Sequence, residues 1–539
     1  MKKSKGSIGK KIISVLLVLA LGLSLVFYDN IQGMFTVGVN KVLQRDGLQG
    51  YGVSSSNPLA VKVGMDVLEN GGNAADAAVA ISYALGVVEP YASGIGGGGG
   101  MLIYSPQKNE YKFFNYRETA PESYGSQQSG IGVPGFVQGM EVVNNTYGTK
   151  KMTELIQPAV DYAENGFEMS ANLNKRLDVF KGYSALNSLT QFYDENGEPK
   201  SEGTMIVQPE LAQTLKTIQE GGADAFYNGV LAEELRVNTV LTSKDLSGYK
   251  TDVVKPIIGE FDGYEVITAP APFSGATLIQ ILKMSEYADI QSFASNETEY
   301  LEKMSQIVNI AYTSRMFKIA DPNFEDVHSE RYITDKYVKK LYEKKYIKDI
   351  TEDESEDTTA FVVTDKDGMV VSCTNTLGDF FGSQVSIGGY FLNDSVGHFN
   401  DKSYSINAYK AGKRSRTFIC PTILRKGDDF IMGIASPGGN VIPQAVSQVL
   451  LEYLKFGQNI EDAIKEPRTV FRNNTEILTE KQLSEDVIKE MTNQGYKISN
   501  YESNIFYGCI QTIIKDKNLG ITGGADYRRR GEYQVKYSK

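Results

Sequence analysis

The chain has 539 residues and a formal net charge of −11, so it is long enough to bury at least one large core. The acidic balance argues against a general nucleic-acid-binding protein, which needs a broad basic face. The only histidines are His328 and His398, and the only cysteines are Cys373, Cys420 and Cys509, so zinc sites built on several histidines or on CxxC pairs are excluded. We expect the three thiols to be buried, reduced and inert, and we expect no metal ion and no organic cofactor.

The N-terminus has the pattern of an export segment. Five lysines among the first eleven residues precede an apolar run from Ile12 to Tyr28. A run of roughly seventeen residues is near the lower limit for crossing a bilayer, and a basic flank stays in the cytoplasm. A cleaved signal peptide is the alternative; we favour an uncleaved anchor because no small-residue cleavage site follows. In either case we expect residues 1–35 to be the basic end and the membrane anchor or signal segment, and the rest to lie outside the cytoplasm; an uncleaved anchor would hold it at the extracellular face of the cytoplasmic membrane.

Two helices are predicted next, from Ala60 to Leu68 and from Ala74 to Leu85. The pair Gly71-Gly72 is suited to end the first helix, and Asn73 is suited to cap the second.

A glycine-rich stretch, Ser93 to Gly100, then leads into an apolar strand, Met101 to Tyr104. The order helix, glycines, strand rejects a dinucleotide-binding fingerprint, which requires strand, glycines, helix. The stretch is either a flexible spacer or a place where backbones approach closely, and the apolar segments on both sides favour the second interpretation.

The middle of the chain, about Glu141 to Lys348, is mostly helical in pattern. The acidic run from Asp349 to Asp357 is typical of a solvated, mobile segment. A β-rich C-terminal third begins directly after it. Its two predicted hairpins pair Thr359–Thr364 with Met369–Thr376, and Thr422–Arg425 with Phe430–Ala435.

Thr358 stands where the acidic run meets the first of these strands. Two threonines at the start of a strand are by themselves ordinary. A threonine hydroxyl is a poor nucleophile until a base takes its proton, and this chain has few histidines to do so. A threonine at a new N-terminus carries its own base, an α-amino group with a pKa of about 8. Cutting the chain between Asp357 and Thr358 would create that amine and release the acidic run.

Ordered blocks from about Tyr51 to Arg530 resemble the γ-glutamyltranspeptidase family, and within it the members that act on poly-γ-glutamate capsules. These blocks are Asn70–Ala78, Ser93–Gly100, Tyr116–Pro121, Val133–Gly135, Pro270–Gly275, Thr358-Thr359, Thr374–Thr376, Lys413–Phe418 and Ser436–Asn440.

The resemblance implies an α+β fold of the N-terminal-nucleophile hydrolase type, an αββα sandwich of two stacked sheets between helical layers. It implies a precursor that cuts itself into a large subunit, residues 36–357, and a small subunit, residues 358–539. Thr358 would first attack the carbonyl of Asp357. The freed threonine would then take a γ-glutamyl group as an acyl-enzyme and pass it to water or to an acceptor amine.

The same resemblance implies roles for individual residues. Thr376 would orient the nucleophile, and the backbone N–H groups of Gly438 and Gly439 would form the oxyanion hole. Arg117 would hold a substrate carboxylate. Further candidates for binding a polyglutamate chain are Arg529, Arg528 and Arg414.

Three positions depart from the family pattern. Ala360 stands where a histidine is usual, Val441 stands where an arginine is expected, and His398 stands where glutathione-type members have an acid that binds the substrate amine.

Three functions remain open. The first is an enzyme that cuts poly-γ-glutamate or attaches it to a cell-wall amine. The others are a glutathione-type transpeptidase and an uncleaved, non-catalytic scaffold for capsule assembly. We expect the chain to bind a γ-glutamyl donor, water or an acceptor amine, and the membrane, and we expect its large and small subunits to bind each other. We expect no nucleic-acid partner.

Overall fold

The computed structural model describes residues 49–122, 130–179, 181, 189–345, 347–348, 357–501 and 506–538. The predicted membrane segment in residues 1–35 and residues 349–356 of the acidic run lie outside these ranges. Among the described residues, no helix is both long and apolar enough to cross a bilayer.

Seven strands form the first sheet: β1 (Gln49–Ser55), β2 (Gly98–Ser105), β3 (Glu110–Asn115), β6 (Asp252–Val254), β9 (Asp357–Thr364), β10 (Val370–Gly378) and β20 (Glu532–Ser538). Their order across the sheet is β20-β1-β9-β10-β2-β3-β6, and every pairing is antiparallel. The two central strands, β9 and β10, are buried along their whole length. The segment with the candidate nucleophile therefore lies in the middle of the sheet.

Six strands form the second sheet: β7 (Ile257–Phe261), β8 (Tyr264–Thr268), β13 (Thr422–Lys426), β14 (Phe430–Ala435), β18 (Gln511–Asp516) and β19 (Gly520–Ala525). Their order is β19-β18-β14-β13-β8-β7. Short strands form three further small sheets: β4 (Phe167–Glu168) with β5 (Met205–Ile206), β11 (Ser386–Ile387) with β12 (Tyr390–Phe391), and β15 (Thr469–Arg472), β16 (Glu476–Thr479) and β17 (Lys497–Asn500).

The two large sheets pack face to face. Successive side chains of a strand point to opposite faces. On β9, Ala360 and Val362 enter a small apolar layer with residues of the second sheet, among them Ala435 and Ile513. Close approach requires glycine at position 433, where a Cβ would lie 2.6 Å from a methyl group of Val362.

Helices cover both outer faces. They are α1 (Pro58–Glu69), α2 (Ala74–Val88), α3 (Phe136–Tyr147), α4 (Met152–Asn165), α5 (Ala171–Val179), α6 (Pro209–Tyr227), α7 (Val230–Asn238), α8 (Ser243–Gly248), α9 (Gly275–Tyr287), α10 (Glu297–Lys318), α11 (Asp335–Lys344), α12 (Ile442–Leu450), α13 (Ile460–Lys465) and α14 (Glu485–Asn493). One apolar core joins α1 to α8 to the first sheet, and another joins α9 to α14 to the second sheet. The predicted αββα sandwich is confirmed.

Local predictions in the N-terminal part are confirmed. Asn73 caps α2 in a capping box with Asp76, and Gly71, with φ +80°, follows the end of α1. The glycine-rich stretch is a place of close backbone approach: a Cβ at Gly97 would lie 2.2 Å from the carbonyl oxygen of Thr376. The three cysteines are also buried and unpaired, and burial raises the pKa of the thiols.

The prediction of a mostly helical middle region is confirmed. Residues 141–348 also contain the short strands β4 to β8, of which β6 forms an edge of the first large sheet and β7 an edge of the second. These strands are short and partly exposed, with burial that follows no simple alternation along β6. Two of them pair with strands distant in sequence, β6 with β3 and β8 with β13, and sequence periodicity does not report such pairings.

Candidate active site

Thr358 is the second residue of β9 and is fully buried. It lies directly opposite Thr376 of β10, and the ladder shifts register between Thr376 and Gly378. Because side chains alternate along β9, Thr358 points to the same side as Ala360, toward the second sheet. The strand pairing and the stacking of the two sheets together fix the position of its hydroxyl.

Two hydrogen bonds surround the bond between Asp357 and Thr358. The backbone N–H of Gly438 donates to the Oγ1 of Thr358 over 2.9 Å. The hydroxyl of Thr376 donates to the carbonyl oxygen of Asp357 over 3.0 Å. The N–H of Gly378 donates to that same hydroxyl oxygen over 2.9 Å, which leaves the Thr376 proton directed at the carbonyl. The site thus holds a hydroxyl and polarises a carbonyl next to it.

The turn after β14 supplies the first of these donors. Gly438 has φ +132° and Gly439 has φ +56°, backbone conformations that L side chains rarely adopt. A Cβ at Gly438 would also lie 3.1 Å from the Cα of Gly508. Glycine is therefore required at position 438 for the N–H to face Thr358. Among the described contacts, the N–H of Gly439 has no contact with Thr358, so its predicted oxyanion role stays a prediction.

Two buried arginines meet at Asp357. Arg176 of α5 forms an ion pair with the Asp357 carboxylate. Arg529 donates from Nη1 to the carbonyl oxygen of Thr358 over 2.7 Å, and its Nη2 lies 3.9 Å from the same Asp357 carboxylate. Arg529, predicted as a substrate-binding residue, therefore lies beside the nucleophile.

Arg528 and Arg414 are held by protein groups. Arg528 donates to both oxygens of Glu480 and pairs with Asp526 at 3.2 Å. Burial alone would raise the pKa of Asp526, but the charges of Arg468 and Arg528 hold it below its ordinary value.

Arg414 donates to the carboxylate of Asp252 over 2.6 Å and to the carbonyl of Lys250 over 2.6 Å. It also donates to the carbonyl of Arg117. These contacts favour structural roles for Arg414 and Arg528; their predicted contacts with a polyglutamate chain remain predictions.

Arg117 is buried at the end of β3, next to the glycine-rich stretch. Its Nε lies 3.1 Å from the carboxylate of Glu118, and its Nη2 lies 3.4 Å from the hydroxyl of Ser415. A substrate carboxylate at Arg117 would have to be accommodated beside Glu118, so this role also stays a prediction.

The positions that depart from the family pattern are buried or close to the site. Ala360 packs in the apolar layer between the sheets, and Val441 packs in the core of the second helical layer. His398 lies 3.8 Å from the carboxylate of Asp394. With Asp379 these two residues form, within the described ranges, the one group whose donor atoms are close enough to share a cation. A carboxylate is thus present beside His398.

Comparison with known proteins decides the family. The model of the gamma-glutamyltranspeptidase family matches residues 60–535. The chain belongs to the γ-glutamyltranspeptidase family. It is 45% identical over 485 residues to the capsule biosynthesis protein CapD proenzyme of Bacillus anthracis, covering 90% of each chain. It is 30% identical over 540 residues to the glutathione hydrolase proenzyme of Bacillus subtilis strain 168, covering 90% of this chain and 91% of the relative.

The crystal structure of a cephalosporin acylase from Bacillus halodurans superposes on the chain with a TM-score of 0.79. It is 25% identical and covers 90% of this chain and 96% of that chain. Members of the γ-glutamyltranspeptidase family are N-terminal-nucleophile hydrolases, and the chain is accordingly a transferase or hydrolase rather than a non-catalytic protein. The scaffold alternative is therefore not favoured.

Two residues of the site could not be found from motifs. Arg176 is separated from Asp357 by 181 residues, and its helix has no feature that distinguishes it from other surface helices. Glu89 is 1% exposed and accepts hydrogen bonds from Ser56. The sequence distinguishes Glu89 only by its position, because this acidic residue directly follows the apolar end of α2.

Proposed function

We propose that this γ-glutamyltranspeptidase cuts itself before Thr358 and then hydrolyses or transfers poly-γ-glutamate through a γ-glutamyl–Thr358 acyl-enzyme. The observation that carries the proposal is the arrangement at Thr358: its hydroxyl accepts from Gly438, and the adjacent carbonyl accepts from Thr376. The apolar, lysine-flanked run in residues 1–35 adds the proposal that the enzyme works at the extracellular face of the membrane.

Self-cleavage requires two steps. In the first, the Oγ1 of Thr358 bonds to the carbonyl carbon of Asp357, the C–N bond breaks, and the hydroxyl proton moves to the nitrogen. The carbonyl oxygen carries negative charge on the way, and the Thr376 hydroxyl already donates to it. In the second, water adds its hydroxyl to the ester carbon and its proton to Oγ1. The products are a carboxyl group on Asp357 and a free amine on Thr358.

The same atoms serve substrate turnover. The new amine takes the proton of the Thr358 hydroxyl, which attacks the γ-carbonyl of the donor, and the leaving amine receives that proton. We expect the N–H of Gly438, which now donates to the Oγ1 of Thr358, and the hydroxyl of Thr376, which donates to the Asp357 carbonyl oxygen, to donate to the negative charge that develops on the donor carbonyl oxygen. Water or an acceptor amine then takes the acyl group from Oγ1. None of these steps uses a histidine.

Poly-γ-glutamate is preferred as the donor because the relative with 45% identity over 90% of the chain is a capsule biosynthesis protein. A glutathione-type activity is the second candidate. Asp394 and Asp379, close to His398, supply the negative charge that a donor with a free α-amine needs. The departure at His398 therefore does not by itself exclude small donors.

Purified, matured protein should be incubated separately with poly-γ-glutamate and with glutathione. The proposal predicts that the polymer shortens on size-exclusion chromatography, with new γ-linked conjugates when an amine is added, while glutathione is turned over more slowly. Thr358→Ala serves as the inactive control. Faster turnover of glutathione than of the polymer would support the second candidate, and no turnover of either would contradict both.

A further inference from the structure

One imidazole and two carboxylates meet beside the turn that follows β10. Asp379 comes directly after β10, while Asp394 precedes and His398 ends the 3-10 turn Ser395–His398. The ligand atoms that the three side chains offer all lie within 4.8 Å of one another. The Nε2 of His398 is 3.8 Å from the Oδ1 of Asp394. Two segments of the chain thus bring three metal-ligating side chains to one point.

The spacing of these atoms fits a zinc-type ion. Zn²⁺ binds imidazole nitrogen and carboxylate oxygen at about 2.0–2.2 Å in tetrahedral geometry, which places two ligand atoms of one ion about 3.4 Å apart. The 3.8 Å between His398 and Asp394 is close to that separation, so small rotations of the side chains bring the ligands into place. Three protein ligands leave the fourth position of the ion to water, as is common for Zn²⁺.

The imidazole distinguishes this cluster from an ordinary group of acidic side chains. Carboxylates alone suit Mg²⁺ and Ca²⁺, whereas an imidazole nitrogen suits Zn²⁺ and related transition metals. The side chains of His398 and Asp394 are 9% and 19% exposed, and Asp379 is exposed. Two ligands are therefore already held in the protein, and the third can reach the ion from the solvent side. The composition argument excluded zinc sites with several histidines or CxxC pairs, and this cluster requires one histidine.

Backbone contacts hold the ligands in position. The N–H of Asp379 donates to the Oδ1 of Asp394 over 3.1 Å, and the side chain of Asn407 donates to the carbonyl of His398 over 2.9 Å. Gly378 has φ +96°, and a Cβ there would lie 1.7 Å from the Oδ1 of Asp394 and 3.4 Å from an imidazole carbon of His398. Glycine at position 378 thus leaves the space in which the carboxylate and the imidazole lie together. Such fixed surroundings orient metal ligands before the ion binds.

We propose that Asp379, Asp394 and His398 bind a first-row divalent transition-metal ion of the Zn²⁺ type. The ion ties the turn after β10 to the 3-10 turn that His398 ends. This turn includes Gly378, whose N–H donates to the hydroxyl oxygen of Thr376, so the metal site adjoins the group that polarises the scissile carbonyl. All three ligands lie in residues 358–539, and the site therefore goes beyond the proposed function and does not depend on self-cleavage.

Isothermal titration calorimetry with zinc chloride tests the site in the full-length chain. We expect one saturable Zn²⁺ site per chain in the matured wild type and, with the same affinity, in the uncut Thr358→Ala protein. His398→Ala should weaken binding at least about tenfold, because a ligand is lost. His328→Ala is the matched control and should leave binding unchanged, since His328 is exposed and lies 2.9 Å from Asp326, outside the cluster.

A second variant protects the test from misfolding. Asp379 is exposed, so Asp379→Asn should fold even if His398→Ala does not, and it should also weaken Zn²⁺ binding at least about tenfold. Thermal unfolding establishes that each variant is folded. Zn²⁺ should raise the unfolding temperature of the wild type and of His328→Ala, but not that of His398→Ala.

Magnetic resonance identifies the ligand directly, because the chain has only two histidines. Protein labelled on the histidine rings should show two imidazole signals, and Zn²⁺ should shift the signal that is absent from His398→Ala. Excess Ca²⁺ should not displace the Zn²⁺. Displacement of Zn²⁺ by Ca²⁺, without a shift of the His398 signal, would refute the imidazole as a ligand.

Three binding results would overturn the inference: no saturable Zn²⁺ binding, equal weakening of binding by His328→Ala and His398→Ala, or unchanged binding in both His398→Ala and Asp379→Asn. Binding is measured without turnover, so its outcome is separate from the proposed function. Zn²⁺ binding that depends on His398 would leave the metal site standing even in a protein that cuts no polymer. Absence of Zn²⁺ binding in a protein that cuts polymer would refute the metal site alone.

Discussion

Thr376→Val tests the role of the hydroxyl that donates to the scissile carbonyl. Valine has nearly the same shape as threonine, so the substitution removes the 3.0 Å bond to the Asp357 oxygen with little change in packing. Loss of one pre-positioned donor to a developing oxyanion raises a barrier by about 2.7–4 kcal/mol, which slows self-cleavage about 10²–10³-fold. The N–H of Gly378 also loses its acceptor, which lowers the free energy of unfolding by about 1–3 kcal/mol.

The rate is measured by following the intact chain on denaturing gels after a short pulse of cell-free synthesis, well below the unfolding temperature of each variant. Thr374→Val is the matched control: Thr374 lies two residues earlier on the same face of β10, fully buried, and its hydroxyl has no hydrogen-bond partner among the described residues. It should cut itself at the wild-type rate. Equal rates for the two variants would refute the assignment of the Thr376 hydroxyl to the oxyanion.

Three further predictions follow from buried groups. Arg528→Ala leaves the Glu480 carboxylate without its guanidinium partner and leaves Asp526 with Arg468 alone, so it should lower the free energy of unfolding by about 3–5 kcal/mol in chemical denaturation, while the KM of the folded enzyme for polymer stays unchanged. Gly438→Ala adds a Cβ 3.1 Å from the Cα of Gly508 at φ +132°, so the intact chain should persist on gels; normal maturation would contradict this. Burial and the nearby Glu466 raise the pKa of Glu452 from 4.5 to about 7. The folded chain therefore binds the carboxyl proton of Glu452 more tightly than the unfolded chain does. This difference stabilises the folded state fully below about pH 4.5, and the stabilisation is lost as the pH rises through about 7. Partial exposure limits this loss to about 1 kcal/mol, and Glu452→Gln should flatten this pH dependence in urea unfolding.

Residues in continuous motifs could be predicted from the sequence. Thr358 follows an acidic run and opens a strand, and Gly438 lies in a glycine pair directly after a predicted strand, so local pattern and family resemblance both identified them. The hairpin strands agree with the structure to within about two residues for the same reason. The αββα architecture followed from the resemblance, because no local pattern states which strands pair across hundreds of residues.

Residues whose role depends on distant partners could not be predicted. Arg176 matters because α5 packs its guanidinium against Asp357, 181 residues away. The positive charges of Arg528 and Arg414 favour contacts with a polyanion, but carboxylates supplied by other segments hold both side chains. A sequence shows where an arginine is, whereas its availability to a substrate depends on which acids the fold brings to it.

The bond between Asp357 and Thr358 is the most direct test of this account. Intact mass measurement and N-terminal sequencing of purified wild-type protein should find two fragments, the smaller beginning at Thr358, while Thr358→Ala remains a single chain. A fully active wild-type protein in which residues 357 and 358 are still joined would contradict it.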